Sequence, residues 1–132
     1  MDYIKSKIFK LRVYYEDTDA GGVVYHSNYL KFLERARTQI LFDNGHTHTT
    51  LKEKFKIITV VKSCNIDFIK PARLDDEIEI STFLIKKSKI QIYLNQEIFC
   101  NNELILNAKV RIAIINTDGK IARMPSDIFD IF

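Results

Sequence analysis

Apolar and polar residues alternate along much of the chain, a period of two that is typical of strands with one buried face. The first such run covers residues 9–15, where Phe9, Leu11 and Val13 alternate with polar neighbours. Four later runs have the same character, at residues 58–68, 78–84, 90–98 and 104–114. The pattern predicts five strands, with a hairpin turn at residues 100–103 and a further turn at residues 117–120.

One segment between the first and second runs has a helical period instead. Its apolar residues are spaced three and four apart, so one face of a helix would be apolar. We predict that Ser27 or Asn28 caps this helix and that Gly45 ends it in a left-handed conformation. A short terminal helix is predicted after Pro125. A strand, a helix and four further strands favour an α+β fold. The positions on the apolar helix face are Tyr29, Phe32, Leu33, Ala36 and Ile40.

Composition narrows the function classes. The 132 residues predict a single domain spanning 1–132, and a net charge of +3 from 20 basic and 17 acidic residues does not indicate a nucleic-acid binder. The two cysteines, Cys64 and Cys100, form neither a disulfide framework nor a zinc motif. The N-terminus lacks the apolar run of a secretion signal, and no stretch is apolar enough for membrane insertion. We therefore expect a cytoplasmic protein.

The most informative segment is the polar loop that joins the first strand to the helix, residues 14–29. It contains Glu16, Asp17 and Asp19, the pair Gly21-Gly22, and His26 near the helix start. Free N–H groups and the helix dipole favour negative charge at such a helix start. A carboxylate beside it can attack an acyl carbon or activate a water molecule, and the N–H groups can hold the oxyanion that forms.

Each of these residues also has a structural interpretation. Asp19 or Asp17 can close an Asx turn by accepting a hydrogen bond from its own backbone, as loop aspartates commonly do. Tyr15 is either a hydrogen-bond partner of the catalytic acid or a core aromatic residue with a solvated hydroxyl. The Gly21-Gly22 pair permits close approach of a substrate, and it equally permits any sharp turn. The residues alone leave these alternatives open.

Three segments carry a resemblance to a known family. Residues 15–26 (Tyr-Glu-Asp-Thr-Asp-Ala-Gly-Gly-Val-Val-Tyr-His), 28–38 and 71–76 resemble the YbgC-like acyl-CoA thioesterases, in the 4-hydroxybenzoyl-CoA thioesterase branch of the hotdog superfamily. The resemblance implies a curved antiparallel sheet of about five strands wrapped around one long central helix. It also implies Asp19 as the catalytic acid, with His26 and Tyr15 in the active site and Gly22, Val23 and Tyr25 against the substrate.

The resemblance further implies hydrolysis of an acyl thioester, with coenzyme A as a part of the substrate and no separate cofactor. Acyl carrier protein is an alternative carrier of the acyl group. Active sites are expected between the subunits of a homodimer, and two dimers are expected to pair into a homotetramer. Apolar residues on the second face of the predicted sheet favour such an interface. They are Ile69, Phe83, Ile85, Tyr93, Phe99, Ile105 and Ile115.

Other functions compete with this interpretation. A non-enzymatic module that binds acyl groups or acyl carrier protein, associated with the cell envelope, is the first alternative, and a hotdog dehydratase is the second. The complete Asp-Thr-Asp-Ala-Gly-Gly segment favours hydrolysis over both. The sequence contains no G-x-S-x-G motif, which argues against a serine α/β-hydrolase. We interpret His46 and His48 as part of a solvated loop and predict no metal site, since metal sites need three or four convergent ligands.

Overall fold

The computed structural model describes residues 7–132. The prediction that the chain lacks a secretion signal concerns the N-terminal segment, which lies outside the described residues. All five predicted strands are present in one antiparallel sheet of order β1-β3-β4-β5-β2. The sheet and the helix beside it confirm the predicted α+β hotdog arrangement. The strands are β1 (Lys7–Arg12), β2 (Ile58–Phe68), β3 (Glu77–Lys87), β4 (Gln91–Cys100) and β5 (Glu103–Ile115).

The predicted helix, α1 (His26–Asp43), packs its apolar face onto the sheet. All five residues predicted for that face are at most 3% exposed. Gly45, at φ +79°, confirms the predicted stop. The predicted start is wrong, because Tyr25 and not Ser27 or Asn28 occupies the capping position and its side chain makes no capping hydrogen bond.

A second helix, α2 (His48–Phe55), is not predicted by the sequence pattern, and the interpretation of residues 46–48 as a loop is wrong at His48. Thr47 caps α2, and its Oγ1 accepts a hydrogen bond from the Thr50 N–H at 3.0 Å. Leu51 is the buried residue of this helix. A single buried position produces no apolar periodicity, so the pattern contains no signal for this helix.

The turns agree with the sequence. Asn101 and Asn102, at φ 52° and 63°, connect β4 to β5. Positive φ at both central residues is the geometry of the tight turn that two-residue hairpins favour, and asparagine tolerates it. The predicted terminal helix is α3 (Ser126–Phe129), which follows Pro125.

One of the seven residues predicted for the second face of the sheet lies in the core instead. Ile85 and Ile69 are each 51% exposed, whereas Ile105 is only 3% exposed and belongs to the core. The pairing of β4 with β5 shifts by one residue between Ile98 and Phe99, and this shift breaks the alternation on which the prediction for Ile105 relied. Phe83, Tyr93, Phe99 and Ile115 are half-buried.

Candidate active site

The acidic loop begins with a 3-10 turn, Tyr15–Asp17, that is anchored by a buried carboxylate. Asp17 is 7% exposed, and its Oδ2 accepts a hydrogen bond from the Tyr14 N–H at 2.8 Å. The Tyr25 N–H donates to the carbonyl oxygen of Asp17 at 3.0 Å. Asp17 therefore holds both ends of the loop and orders the segment that contains Asp19.

Asp19 lies at the tip of this loop and closes an Asx-type turn. Its Oδ1 accepts hydrogen bonds from the N–H of Gly21 at 2.8 Å and of Val23 at 3.4 Å. Oδ2 accepts no hydrogen bond from any residue of the described range 7–132. The structural interpretation of Asp19 therefore holds for one carboxylate oxygen, while the turn orients the carboxylate and leaves the other oxygen available.

The two glycines serve this turn. A methyl group on Gly21 would lie 3.3 Å from Asp19 Oδ1, which is a crowded contact, and Gly22 has φ +78°, where other residues are strained. The Gly22 N–H donates to the Asp19 carbonyl at 3.0 Å, and its own carbonyl accepts from the Leu74 N–H at 3.2 Å. Gly22 therefore shapes the loop through its backbone.

The segment after Pro71 supports the loop from the other side. Val23 pairs with Arg73 in an isolated antiparallel bridge, and the Val24 N–H donates to the Ala72 carbonyl at 2.9 Å. Two of the three segments that carried the family resemblance, residues 15–26 and 71–76, are thus neighbours in space.

Helix α1 directs its N-terminus at the same place. The N–H groups of His26 and Ser27 donate to no backbone or side-chain acceptor in the part of the chain that the structure describes. Asn28 is 7% exposed, and its Nδ2 lies 3.5 Å from the carbonyl oxygen of Glu16, which links the helix start to the loop. Unpaired N–H groups at a helix N-terminus attract and stabilise negative charge.

Aromatic side chains form one wall of the site. The rings of His26 and Phe68 meet edge to face with centroids 5.0 Å apart, and Phe68 is 5.8 Å from the ring of Tyr29. The Tyr29 hydroxyl accepts a hydrogen bond from the Ala72 N–H at 3.0 Å. Burial raises the pKa of Tyr29, although the hydrogen bond from Ala72 acts in the opposite direction. Tyr29 therefore has a structural role: its neutral, buried side chain supports the site through the hydrogen bond from Ala72.

These elements enclose a cleft of about 320 Å³. It brings together four of the six predicted site residues, Asp19, His26, Val23 and Tyr25. The other two lie outside its lining. Gly22 acts through the turn described above, and Tyr15 is 83% exposed. Tyr15 does not end the first strand as predicted, because β1 stops at Arg12 and the chain turns into the 3-10 segment.

One part of the cleft lining is not predicted by the sequence. It consists of Phe68, Ile69, Lys70 and Pro71, at and just beyond the end of β2. The alternating pattern assigns Phe68 to the core, yet it is 49% exposed at the mouth of the cleft. Lys70 is the basic residue of this lining, and its Nζ lies 2.6 Å from Glu103 Oε2.

Among residues 7–132, no three His, Cys, Asp or Glu side chains form a cluster that could hold a metal ion. His46 contacts the ring of Phe55, and His48 Nε2 lies 2.9 Å from Thr38 Oγ1. None of the described helices has the length and apolarity that crossing a bilayer requires.

Comparison with known proteins relates this site to an enzyme family. The sequence profile of the thioesterase-like superfamily matches residues 13–132. An acyl-CoA thioesterase YbgC from Haemophilus influenzae is 42% identical over 82% of this chain and 79% of its own length. An acyl-CoA thioester hydrolase YbgC from Escherichia coli O157:H7 is 38% identical over 80% of this chain and 79% of its own length.

A solved structure agrees with this relationship. The crystal structure of a probable thioesterase from Bartonella henselae superposes with a TM-score of 0.87 at 36% identity, covering 91% of this chain and 99% of that one. The names of these relatives favour hydrolysis over a binding module or a dehydratase. The chain therefore belongs to the thioesterase-like superfamily, as a YbgC-like acyl-CoA thioesterase that hydrolyses thioesters.

Proposed function

We propose that the protein hydrolyses an acyl-CoA to a free carboxylic acid and coenzyme A in the cleft between Asp19 and the start of α1. The observation that carries this proposal is the meeting of an oriented carboxylate and unpaired backbone N–H groups in one cleft. A thioester carbonyl placed between them has a base or nucleophile on one side and hydrogen-bond donors on the other.

Asp19 acts as nucleophile or as general base. As nucleophile, its free Oδ2 attacks the thioester carbon, the C–S bond breaks, and water then hydrolyses the mixed anhydride. As general base, Asp19 takes a proton from water while the water oxygen attacks the same carbon. In both routes the thiolate leaves and takes up a proton, and one water is consumed for each acid and thiol released.

The backbone N–H of His26 forms the oxyanion hole. This role uses the free end of α1 and needs no imidazole. The imidazole is positioned against Phe68 and contributes to proton transfer at the leaving thiolate. Coenzyme A is a part of the substrate in this scheme, and no separate cofactor takes part.

The cleft walls bear on which substrates bind. The lining from Val23, Val24, Tyr29, Phe68 and Ile69 is apolar and accommodates the acyl group. Tyr25 and Val23 contact the substrate near the thioester, in the role that the family resemblance implies. Lys70 at the rim exchanges its surface ion pair with Glu103 for a phosphate of the carrier, which coenzyme A and acyl carrier protein both provide.

We propose that the active form is a homodimer, or a homotetramer made of two dimers, in the cytoplasm. Strand β2 is an edge of the sheet, and Val61 and Phe68 on it are about half exposed. An edge strand with apolar side chains favours pairing with a second copy. The free thiols of Cys64 and Cys100 are compatible with a reducing compartment.

A thiol-release assay tests this function. Purified protein is mixed with acyl-CoAs of short, medium, long and aromatic acyl groups and with an acyl carrier protein thioester, while light scattering reports the mass relative to the 15.5 kDa chain. We expect turnover of at least one substrate by an oligomer. Absence of thiol release from every substrate would reject the proposed reaction, and a fully active monomer would reject the proposed assembly.

A further inference from the structure

The two proposed catalytic groups are joined by one short ribbon of backbone, residues 17–25. One antiparallel bridge crosses this ribbon, and the Tyr25 N–H closes it by donating to the Asp17 carbonyl at 3.0 Å. Asp19 lies at its tip, and His26, whose N–H is the proposed oxyanion donor, follows its last residue directly. The distance between the Asp19 carboxylate and that N–H therefore depends on the pairing within the ribbon.

The side chain of Asp17 anchors this ribbon to the rest of the protein. A two-stranded ribbon is marginally stable at best when it stands alone in water. Asp17 is 7% exposed, and its Oδ2 accepts a hydrogen bond from the Tyr14 N–H at 2.8 Å. The residue before Tyr14 is Val13, which is fully buried. The Val13 N–H donates to the Asp76 carbonyl at 2.8 Å, and its carbonyl accepts from the Asp75 N–H at 3.1 Å. The ribbon is thus attached to firmly held backbone at the end of β1.

A buried amide makes a second, weaker contact from the first turn of α1. Asn28 is 7% exposed, and its Nδ2 lies 3.5 Å from the carbonyl oxygen of Glu16, which is longer than a typical hydrogen bond. The Asn28 N–H donates to the Tyr25 carbonyl at 2.9 Å. The helix start is therefore linked both to the residue before the ribbon and to the last residue of the ribbon.

The role of Asp17 differs in kind from that of Asp19. The cleft lining includes Asp19 but not Asp17. None of the ion pairs found within residues 7–132 includes Asp17. The contact that its side chain makes needs only an acceptor oxygen, which asparagine also has. The proposed chemistry of Asp19, in contrast, needs the carboxylate itself.

We propose that Asp17 is a positioning residue for thioester hydrolysis, with Asn28 as its weaker partner. Its side chain holds the ribbon so that the Asp19 carboxylate and the His26 N–H reach the same thioester group. The inference rests on the proposed function and adds the residues that set its geometry. A misplacement of about 1 Å can lower a rate by roughly a hundredfold, so a modest loosening of the ribbon should be measurable.

Steady-state kinetics of two substitutions at this position provide the first test. Asp17→Ala removes the acceptor, so kcat should fall roughly tenfold or more, while KM changes less than about threefold because the apolar cleft lining is untouched. Asp17→Asn keeps an acceptor oxygen, so its kcat should stay within about threefold of the wild type. Asp19→Asn should show no such rescue. Glu16→Ala, at an exposed neighbour in the same turn, is the matched control and should leave both constants unchanged.

Amide hydrogen exchange, measured without substrate, provides the second test. In Asp17→Ala the N–H groups of Tyr14 and Tyr25 should exchange roughly tenfold faster than in the wild type. The Val13 N–H, which is bonded to the Asp76 carbonyl, should be unaffected. A uniform loss of stability would instead accelerate all three amides together, so this comparison detects a local loosening of the ribbon.

Several results would overturn the proposal. A folded Asp17→Ala protein with the kcat of the wild type would leave Asp17 without a positioning role. An Asp17→Asn protein as impaired as Asp17→Ala would assign the effect to the charge, and an equal loss in Glu16→Ala would show that it is not specific. Should Asp17→Ala fail to fold, Asn28→Ala replaces it, and an unchanged kcat would overturn the proposal.

Failure of the proposed function gives a different result. Absence of thiol release from the wild type would reject the hydrolysis itself. The exchange measurement needs no substrate, so it decides in that case whether Asp17 holds the ribbon. Wild-type exchange rates at Tyr14 and Tyr25 in the alanine variant would reject the anchoring role whether or not the wild type is active.

Discussion

Replacing Asp19 by asparagine removes a charge while keeping the shape of the loop. The amide oxygen of the new side chain can still accept the hydrogen bonds that Gly21 and Val23 now donate to the carboxylate at 2.8 and 3.4 Å. The change falls on the other carboxylate oxygen, Oδ2, which is replaced by an NH2 group that can neither attack a carbonyl carbon nor take a proton from water. The substitution therefore distinguishes the structural role of Asp19 in the turn from its proposed role in catalysis.

The expected loss in turnover is at least about a hundredfold, the scale of losing an acid–base group, or about 2.7 kcal/mol of transition-state stabilisation. The free energy of unfolding should stay within about 0.5 kcal/mol of the wild type, as it does for most exposed substitutions. Asp19→Ala should cost a further ~1 kcal/mol of stability, because the Gly21 and Val23 amides lose their acceptor.

Thiol release and urea unfolding are measured on the same preparations. Asp118→Asn is the matched control, because Asp118 is an exposed aspartate in the turn between β5 and α3. A folded Asp19→Asn protein with near-normal turnover would refute the catalytic assignment. An Asp19→Asn protein that unfolds would indicate that the residue is chiefly structural.

The remaining predictions concern the loop, the helix start and the buried Tyr29 that supports them. His26→Ala keeps the backbone donor, so we expect it to retain some activity and to lose the contribution of the ring; an unchanged rate and acidic limb of the pH–rate profile would exclude a role for the imidazole. Gly22→Ala should lower the free energy of unfolding by about 1 kcal/mol because φ is +78° while nothing lies within 4 Å of the added methyl, and an unchanged melting temperature would contradict this. Tyr29→Phe should cost about 1 kcal/mol by leaving the buried Ala72 N–H without its acceptor. Burial raises the pKa of Tyr29 in the folded protein. The contribution of its hydroxyl to stability is therefore complete below the ordinary tyrosine pKa of about 10 and is lost as the pH rises through the higher folded value. In urea unfolding at increasingly alkaline pH, the phenylalanine variant should lose less stability than the wild type.

Local patterns in the sequence determined most of the secondary structure. The period of two located five strands, and the helical spacing located α1, because each records which side of an element avoids water. Residues that tolerate positive φ marked the turns at Asn101-Asn102 and at Gly45. The loop from Tyr15 to His26 also identified the family and the candidate carboxylate, Asp19, because its residue types are grouped within one short segment.

Patterns of this kind do not report which elements become neighbours. The alternation assigns Phe68 to the core, and only the end of β2 lying beside the start of α1 places it against His26 at the cleft. It assigns Ile105 to the second sheet face, and the shift in pairing after Ile98 turns it inward. Helix α2 depends on a local cap at Thr47 and one buried leucine, which leave no period to detect.

The same distinction separates the Asp19 loop from the buried polar contacts of α1. The candidate catalytic groups of the Asp19 loop lie within one short stretch of consecutive residues. The sequence alone therefore identified the candidate carboxylate and the helix start that faces it. The hydrogen bond from Arg37 Nη1 to Gln96 Oε1 joins residues 59 apart, and Gln96 Nε2 donates to the carbonyl of Leu33, 63 positions away. Such contacts form only when α1 packs across β4, because no local propensity encodes the distance between a helix and a strand that the chain reaches much later. Tertiary packing therefore decided which polar side chains became buried and which partners they found.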